Sequence, residues 1–167
     1  VRDPAENPPA SACADRFIKG GLYDEESLRA LVETSDVSAY DVEHISTNVL
    51  AACKQEGYTI EPSPEVLSTI QDKYIQKTRF ADAGLPVSAF YSAENTDDID
   101  VTPEAFPFVQ KARTGGYDGR GVAVIRSPED LPLLLHCPSV IEAFVPFKKE
   151  LAVMVARSVM GEICSYP

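Results

Sequence analysis

Glycine is concentrated in one short stretch of this chain, and that stretch limits what the surrounding residues can form. Residues 115–121 contain four glycines in seven positions, and the apolar runs 106–113 and 121–125 flank them. Glycine adopts backbone conformations that other residues rarely reach, and it lets backbone N–H groups approach a ligand closely. The two runs therefore predict a β-hairpin whose strands are joined by a long glycine-rich tip.

The hairpin also carries a lysine at a position that indicates an anionic ligand. Lys111 lies near the end of the first predicted strand, where an ammonium group is costly unless it meets an anion. The stretch lacks the GK[ST] ending of a Walker loop and the GxGxxG spacing of a dinucleotide fold. Lysine and glycines together favour phosphate binding, and an ordinary hairpin turn without a ligand is the alternative.

The first third of the chain alternates between helix and strand patterns. We predict a helix over about 25–34, a strand over 36–42, a helix that begins after Ser46 and ends at Gly57, and a short strand at 58–60. Ser is a preferred residue before a helix, and Gly is preferred just after one. Such alternation is typical of a parallel α/β layer.

The rest of the chain has a different pattern. Ser63-Pro64 and Asp72 begin two helices, an acidic loop follows at 94–104, and Ser127-Pro128 begins another helix. Strand patterns at 106–113, 121–125, 139–145 and 150–155 favour antiparallel pairing. We therefore predict α/β followed by α+β, in three segments: a partial α/β domain at 1–62, a helical connector and linker at 63–104, and an antiparallel unit at 105–167.

Composition excludes some classes of function. The formal net charge of −11 argues against nucleic-acid binding, which needs a basic face. The chain has no run of 18 apolar residues and no signal-peptide pattern, so we expect no membrane association and a cytoplasmic location. The four cysteines form no CxxC pair and give no metal-binding motif.

Two further segments have both a functional and a structural interpretation. Gln71-Asp72-Lys73 begins a helix, and its lysine is either a phosphate ligand or a solvated side chain. Glu142 begins the segment EAFVPFKKE, in which a strand runs into a proline. The strand can leave backbone groups open to an adenine edge, with Glu150 accepting from ribose hydroxyls. The alternative is a surface carboxylate on an edge strand.

The order of these motifs resembles a known family. Asp72-Lys73, the strand Lys111 with TGGYDGRG, and EAFVPFKKE look like the ordered motifs of the ATP-grasp superfamily. Within it, AYDVEHIS, IQDKYIQK, ARTGGYDGRGV and KELAVMVARSVMGEICSYP are similar to the N5-carboxyaminoimidazole ribonucleotide synthetases, including the front half of the fungal-type carboxylases. The resemblance covers roughly 1–167. It implies a partial, Rossmann-like pre-ATP-grasp layer followed by the first, lid-forming part of an ATP-grasp domain.

The resemblance also implies roles for individual residues. Lys73 and Lys111 would contact ATP phosphates, the loop from Gly116 to Gly121 would close over them, and Glu150 would hold the ribose. Glu142 would read adenine together with the backbone of the three residues that follow it. The implied nucleotide-binding residues are Lys73, Lys111, Gly116, Tyr117, Asp118, Gly119, Arg120, Gly121, Glu142, Ala143, Phe144, Val145 and Glu150.

The remaining implied roles concern the reaction itself. Tyr117, Asp118 and Arg120, with Glu43 from the first unit, would face 5-aminoimidazole ribonucleotide and a carboxyphosphate intermediate. His44 beside Glu43 is interpreted as structural. The implied reaction is ATP-dependent carboxylation of that nucleotide with bicarbonate in purine biosynthesis, and relatives of this kind are often homodimers.

Both ends of the chain differ from the family pattern. The Mg²⁺ ligands would lie beyond Pro167, so we expect no metal site within this chain, a longer natural protein, and no useful turnover by this segment alone. Two other functions stay open at this point. One is a different ATP-grasp enzyme, such as a formate-dependent transformylase or a biotin-carboxylase relative, and the other is a non-catalytic nucleotide-binding module.

Overall fold

The computed structural model describes residues 1–116, 120–158 and 160–166. The helices of these residues are α1 (Glu25–Val32), α2 (Thr47–Gln55), α3 (Pro64–Gln71) and α4 (Lys73–Asp82). Their strands are β1 (Arg2–Asp3), β2 (Ile18–Lys19), β3 (Phe90–Ala93), β4 (Phe108–Ala112), β5 (Val122–Ile125), β6 (Ser139–Ala143), β7 (Met154–Arg157) and β8 (Ile163–Tyr166). Short 3₁₀ helices cover Pro9–Cys13, Thr96–Asp98, Pro103–Ala105 and Pro128–Leu133.

The first unit is a helical layer beside short parallel pairings. β1 pairs in parallel with β2, and α1, α2 and α3 pack around one apolar core. The predicted start of α2 is confirmed, because Ser46 Oγ accepts from the Val49 N–H at 3.5 Å. Gly57 follows α2 with φ of 103°, as expected of a residue that ends a helix. The core residues are Leu28, Val32, Ile45, Leu50, Cys53, Ile60 and Leu67.

The strand predicted at 36–42 is wrong. Only Ser38 pairs there, through an isolated parallel bridge to Ile60. Val37 is 59% exposed and Val42 is 43% exposed. Tyr40 is the residue of this segment that packs against the core. The short strand predicted at 58–60 is likewise reduced to the bridge at Ile60. The overall class, α/β followed by α+β, is confirmed.

The second unit contains a four-stranded antiparallel sheet in the order β3-β6-β4-β5. The predicted hairpin is its β4–β5 pair, in which Phe108 lies opposite Ile125 and Lys111 opposite Val122. β3 was not predicted from the sequence. It pairs with β6 and places Phe90 opposite Glu142, so β6 is an interior strand of the sheet rather than an edge.

The two faces of this sheet differ in what covers them. Ile141 and Phe108 lie on the face that forms an apolar core with Ile99 and with the partly buried Leu131, Leu134 and Leu135. The helix predicted from Ser127-Pro128 is a 3₁₀ helix with Pro132 inside it, since a proline removes an N–H that an α-helix would need. The opposite face carries Lys111 and Glu142 and contacts α4.

The last described strands form a separate antiparallel hairpin. β7 pairs with β8 from Met154 opposite Tyr166 to Arg157 opposite Ile163. The strand predicted at 150–155 therefore begins later, and Leu151 before it is 88% exposed. Among the helices of the described residues, none has the length and apolar character needed to span a membrane.

Candidate functional site

The first element of the site is an ion pair on the sheet face toward α4. In the register of β4 with β6, Val109 lies opposite Glu142 and Lys111 lies opposite Val140. Since side chains two residues apart on a strand point to the same side, Lys111 and Glu142 are diagonal neighbours. Lys111 Nζ lies 3.1 Å from Glu142 Oε1 and donates to Oε2 at 3.2 Å. The strand-end lysine thus meets a carboxylate of its own chain.

A second lysine reaches the same carboxylate from α4. Lys77 Nζ lies 2.7 Å from Glu142 Oε2 and donates to Ser88 Oγ at 2.8 Å. Ser88 Oγ in turn donates to Glu142 Oε2 at 3.3 Å. Burial alone would raise the pKa of Glu142, but the hydrogen bond from Lys77 and the charge of Lys111 outweigh it and hold the pKa below its ordinary value. Glu142 is therefore a carboxylate, and two ammonium groups share it.

The second element is the joint between α4 and the end of β4. Asp72 caps α4 by accepting from the N–H groups of Tyr74 at 2.9 Å and Ile75 at 3.2 Å. The same carboxylate accepts from Arg113, with Nη2 to Oδ2 at 2.6 Å and Nε to Oδ2 at 3.1 Å. Burial would raise the pKa of Asp72, and the hydrogen bonds from Arg113 and the helix N–H groups lower it overall. Because Arg113 directly precedes the glycine-rich stretch, this joint holds the first end of the loop in place.

The third element is the base of the glycine loop. The Ala112 N–H donates to the carbonyl of Gly121 at 2.8 Å, which holds the two ends of the loop together. A Cβ on Gly116 would lie 2.8 Å from the Arg120 carbonyl oxygen, and Gly121 has φ of 78°. Gly116 therefore has no space for a side chain, and Gly121 has a backbone conformation that favours glycine.

Lys73 connects α4 directly to this loop. Its backbone N–H donates to the Arg113 carbonyl at 2.9 Å, and its Nζ donates to the Gly116 carbonyl at 3.4 Å. The lysine therefore lies at the loop rather than in open solvent. Arg120 is exposed. The predicted site residues Tyr117, Asp118 and Gly119 lie outside the described residues.

The segment after β6 differs in part from its prediction. The Ala143 N–H donates to the Ala89 carbonyl at 2.9 Å, so it is not open to a ligand as we expected. The cause is β3, which pairs along β6. Among the described residues, no backbone hydrogen bond involves the N–H or the carbonyl of Phe144. Val145 is half exposed, and its carbonyl accepts from the Phe147 N–H at 2.9 Å. Glu150 is exposed and precedes β7.

Glu43 from the first unit is held at the same connector. The Glu43 side chain is exposed, and its carbonyl accepts from Gln71 Nε2 at 2.7 Å. The Gln71 Nε2 group also donates to the Ile45 carbonyl at 2.9 Å. Three consecutive residues therefore make three different connections: Gln71 to the Glu43 segment, Asp72 to Arg113, and Lys73 to the glycine loop.

Sequence reasoning missed Lys77, Ser88 and the pairing of Arg113. One signal was available for Lys77, because it lies four residues after Lys73 on the same helix, and residues at that spacing share a face. No local pattern indicates Ser88 or Arg113, since their partners are distant in sequence. Within the described part of the chain, no group of three or more His, Cys, Asp or Glu side chains could hold a metal ion.

The arrangement suits a large anion. Lys73 and Lys111 lie at the base of a loop in which the backbone of Gly116 closely approaches that of Arg120. Farther along the sheet, the N–H and carbonyl of Phe144 make no backbone hydrogen bond within the described part of the chain. Cationic side chains with close backbone N–H groups bind phosphate oxygens. An unpaired backbone edge suits a base such as adenine.

This fold is that of a unit of the ATP-grasp type. The sequence model for the ATP-grasp domain matches residues 78–167, and the one for the ribonucleotide synthetase preATP-grasp domain matches residues 1–71. The chain therefore belongs to the ATP-grasp family.

The relatives point to one branch of that family. The chain is 36% identical over 170 residues to the N5-carboxyaminoimidazole ribonucleotide synthase of Synechocystis sp., covering 100% of this chain and 43% of that protein. It is 41% identical to the crystal structure of the corresponding synthetase from Thermotoga maritima, with a TM-score of 0.88 over 100% of this chain and 45% of that one.

A third similar protein was crystallised with ligands. The synthase of Aspergillus clavatus, in complex with ADP and 5-aminoimidazole ribonucleotide, is 29% identical with a TM-score of 0.79, covering 98% of this chain and 44% of that one. In each of these three comparisons the chain spans less than half the length of its relative.

Proposed function

We propose that this chain is the front and middle portion of an ATP-dependent ligase that carboxylates 5-aminoimidazole ribonucleotide with bicarbonate in purine biosynthesis. The observation that carries the proposal is the pairing of Lys111 with Glu142 beside the glycine loop, in a chain similar along its whole length to N5-carboxyaminoimidazole ribonucleotide synthases. The proposed segments are a partial pre-ATP-grasp domain at 1–62, a connector at 63–104 and the ATP-grasp lid portion at 105–167.

The nucleotide would lie along the face that carries Lys111. Lys111 and Lys73 would contact its phosphates, and the loop from Gly116 to Gly121 would close over them. Because the Ala143 N–H is already bonded to Ala89, adenine recognition would fall to the Glu142 side chain and to the backbone that follows. In that backbone, the N–H and carbonyl of Phe144 and the N–H of Val145 make no backbone hydrogen bond with another described residue. Glu150 would accept from the ribose.

The acceptor substrate would lie on the other side of the connector. Glu43 would face it together with Tyr117, Asp118 and Arg120 from the loop. Gln71 holds the Glu43 segment by hydrogen bonds to two of its carbonyls, and the neighbouring Lys73 contacts the loop. The connector would therefore keep the acceptor residues close to the nucleotide phosphates. The Aspergillus clavatus complex with ADP and 5-aminoimidazole ribonucleotide supports this choice of acceptor.

The chemistry needs a cationic cradle and exclusion of water. Transfer of the terminal phosphate of ATP to bicarbonate would give carboxyphosphate and ADP. The carboxyl group would then pass to the amino nitrogen of the acceptor, with release of inorganic phosphate and of the proton displaced from that nitrogen. Lys73 and Lys111 would offset the charge that moves during phosphate transfer. The glycine loop would exclude water from the labile acyl phosphate. Mg²⁺ would add further positive charge at the phosphates, and its ligands are proposed to lie beyond Pro167.

Two further properties belong to this proposal. We propose a homodimer, tested by light scattering of the complete gene product, and a cytoplasmic location, tested by cell fractionation.

Calorimetric titration with Mg-ATP tests the nucleotide site. We expect Lys111→Met to weaken ATP binding about tenfold or more, the scale of one charge-assisted hydrogen bond. Arg126→Met is the matched control, because Arg126 is exposed and follows the opposite end of the hairpin, and its affinity should equal that of the unmodified protein.

The activity itself is tested on the complete gene product. With Mg-ATP, labelled bicarbonate and 5-aminoimidazole ribonucleotide, label should enter an acid-labile product in step with ADP formation. Label incorporation that requires a different acceptor would reassign the substrate. Absence of ATP binding by the folded gene product would refute the proposal altogether.

A further inference from the structure

The two lysines that share Glu142 are held differently. The Lys77 side chain is 16% exposed, whereas that of Lys111 is 33% exposed. Lys77 also donates to Ser88 Oγ at 2.8 Å, and its Nζ lies 5.6 Å from the centroid of the Phe90 ring. For Lys111, Glu142 is the side-chain partner that the structure describes. Lys77 is thus enclosed by three neighbours, and Lys111 lies at the open end of the cluster.

This difference matters when an anion binds. If Lys111 turns from Glu142 to a phosphate, the carboxylate loses one of its counter-ions, and its side chain is only 11% exposed. A buried carboxylate without a counter-ion is strongly unfavourable. A second cation that stays in place removes that cost. Lys77 is placed to do this, since its Nζ is 2.7 Å from Glu142 Oε2.

We propose that Lys77 is a positioning residue that acts as the fixed counter-ion of Glu142 and so leaves Lys111 free to bind a nucleotide phosphate. The inference rests on the proposed function, because it assumes that the anion is the phosphate group of ATP. It assigns Lys77 no contact with the nucleotide. Without Lys77, Glu142 would hold Lys111 and compete with the phosphate for it.

The test compares two ligands that differ only in the phosphates. ATP and adenosine are titrated into the complete gene product carrying Lys77→Met, Lys77→Arg or Arg79→Met. We expect Lys77→Met to weaken ATP binding about tenfold, the scale of one charge-assisted hydrogen bond, with adenosine affinity changed less than about twofold. Lys77→Arg keeps the positive charge and should restore most of the ATP affinity. Arg79 is an exposed cation on the same helix, and its variant should match the unmodified protein.

A double variant separates positioning from a role in the fold. Lys77→Met with Glu142→Gln removes the carboxylate that would otherwise hold Lys111. The ratio of ATP affinity to adenosine affinity should then return toward the unmodified value, even if loss of Glu142 weakens both ligands. This variant leaves no unpaired carboxylate in the cluster, so it tests the proposal even where Lys77→Met alone does not fold.

Each contrary outcome has a distinct meaning. Equal loss of ATP and adenosine in Lys77→Met, or an unchanged ratio in the double variant relative to Lys77→Met, would overturn the positioning role. A Lys77→Arg variant as weak as Lys77→Met would also overturn it. If the unmodified protein binds neither ligand, the proposed nucleotide function fails instead, and the two failures are thereby distinguished.

Discussion

Two carboxylates lie where α4 meets the four-stranded sheet, and their partners are of different kinds. Asp72 accepts from the Arg113 guanidinium and from two backbone N–H groups at the start of α4. Glu142 accepts from Lys77, Lys111 and Ser88. Both side chains are largely buried, with 14% of Asp72 and 11% of Glu142 exposed. Similar burial is therefore combined with two different sets of donors.

The two sets of donors differ in whether they can leave their carboxylate. A guanidinium binds a carboxylate through several N–H groups in one plane, and backbone donors cannot leave without unwinding the helix. A lysine binds through a single flexible ammonium group that can turn to another anion. We interpret Asp72 as a permanent joint and Glu142 as the holder of an exchangeable lysine.

Loss of the Asp72 joint should cost the most stability of the changes considered. We expect Asp72→Ala to lower the free energy of unfolding by about 3 kcal/mol, because it leaves Arg113 without its buried partner and removes the helix cap. Asp72→Asn should cost less, about 2 kcal/mol, since asparagine still caps a helix but carries no charge. Urea unfolding of the purified protein, followed by circular dichroism, measures both values.

The control for this comparison is the other partner of Arg113. Glu94 lies 3.1 Å from Arg113 Nη1, but its side chain is 66% exposed. Glu94→Gln should change the unfolding free energy by less than about 0.5 kcal/mol, as expected of a solvated ion pair. If Asp72→Ala were no more harmful than Glu94→Gln, the interpretation of Asp72 as a joint would be wrong.

Part of this fold could be predicted because its signals are local. Ser46, Ser63-Pro64 and Asp72 indicate where α2, α3 and α4 begin, and the glycines identify the β4–β5 hairpin. β3 was missed because Phe90–Ala93 is a four-residue strand whose partner β6 lies far along the chain. The strand at 36–42 was wrong because apolar side chains such as Val37 are exposed there.

The signals for the candidate site divide in the same way into local and long-range ones. Lys111 and the glycine loop have a local pattern, and the structure brings Lys73 to Gly116 at the base of that loop. The interactions of Glu142 with Lys77 and Ser88 are long-range contacts between separate elements. Sequence spacing alone gives no distance between such elements, so the shared carboxylate was visible only in three dimensions.

The second effect concerns the loop, which can be disturbed without touching either carboxylate. A Cβ on Gly116 would lie 2.8 Å from the Arg120 carbonyl oxygen and 3.5 Å from Lys73 Nζ. We expect Gly116→Ala to shift the loop and to weaken ATP binding by about 1.4 kcal/mol, or tenfold, within the range for overpacked sites. The free energy of unfolding should change less than it does in Asp72→Ala.

Gly21→Ala is the matched control for the loop variant. A Cβ on Gly21 meets nothing within 4 Å, and Gly21 is not among the glycines with positive φ. Its ATP affinity, measured by the same calorimetric titration, should be unchanged. Equal affinity of the Gly116→Ala and Gly21→Ala proteins would show that the tight approach at Gly116 does not matter for binding.

The smallest effect is the dependence of stability on pH, and it separates the two carboxylates most directly. The pKa values of Asp72 and Glu142 lie below their ordinary values of 3.8 and 4.5. Each group therefore adds stability above its ordinary pKa, and that stability is lost as the pH falls through the lower folded pKa. Asp72→Asn and Glu142→Gln should each make stability depend less steeply on pH on the acid side, measured from urea midpoints between about pH 2 and pH 6.

Saturating ADP should act on only one of these two contributions. If Lys111 leaves Glu142 for a phosphate, the pKa of Glu142 rises toward its ordinary value, because the charge of Lys111 is one of the causes that lower it. The difference between the unmodified protein and Glu142→Gln in how steeply stability falls at acid pH should therefore become smaller when ADP is bound. The corresponding difference for Asp72→Asn should stay the same, since Arg113 and the helix N–H groups keep their carboxylate. An equal response of both variants to ADP would mean that Lys111 does not exchange and that the two carboxylates are equivalent joints.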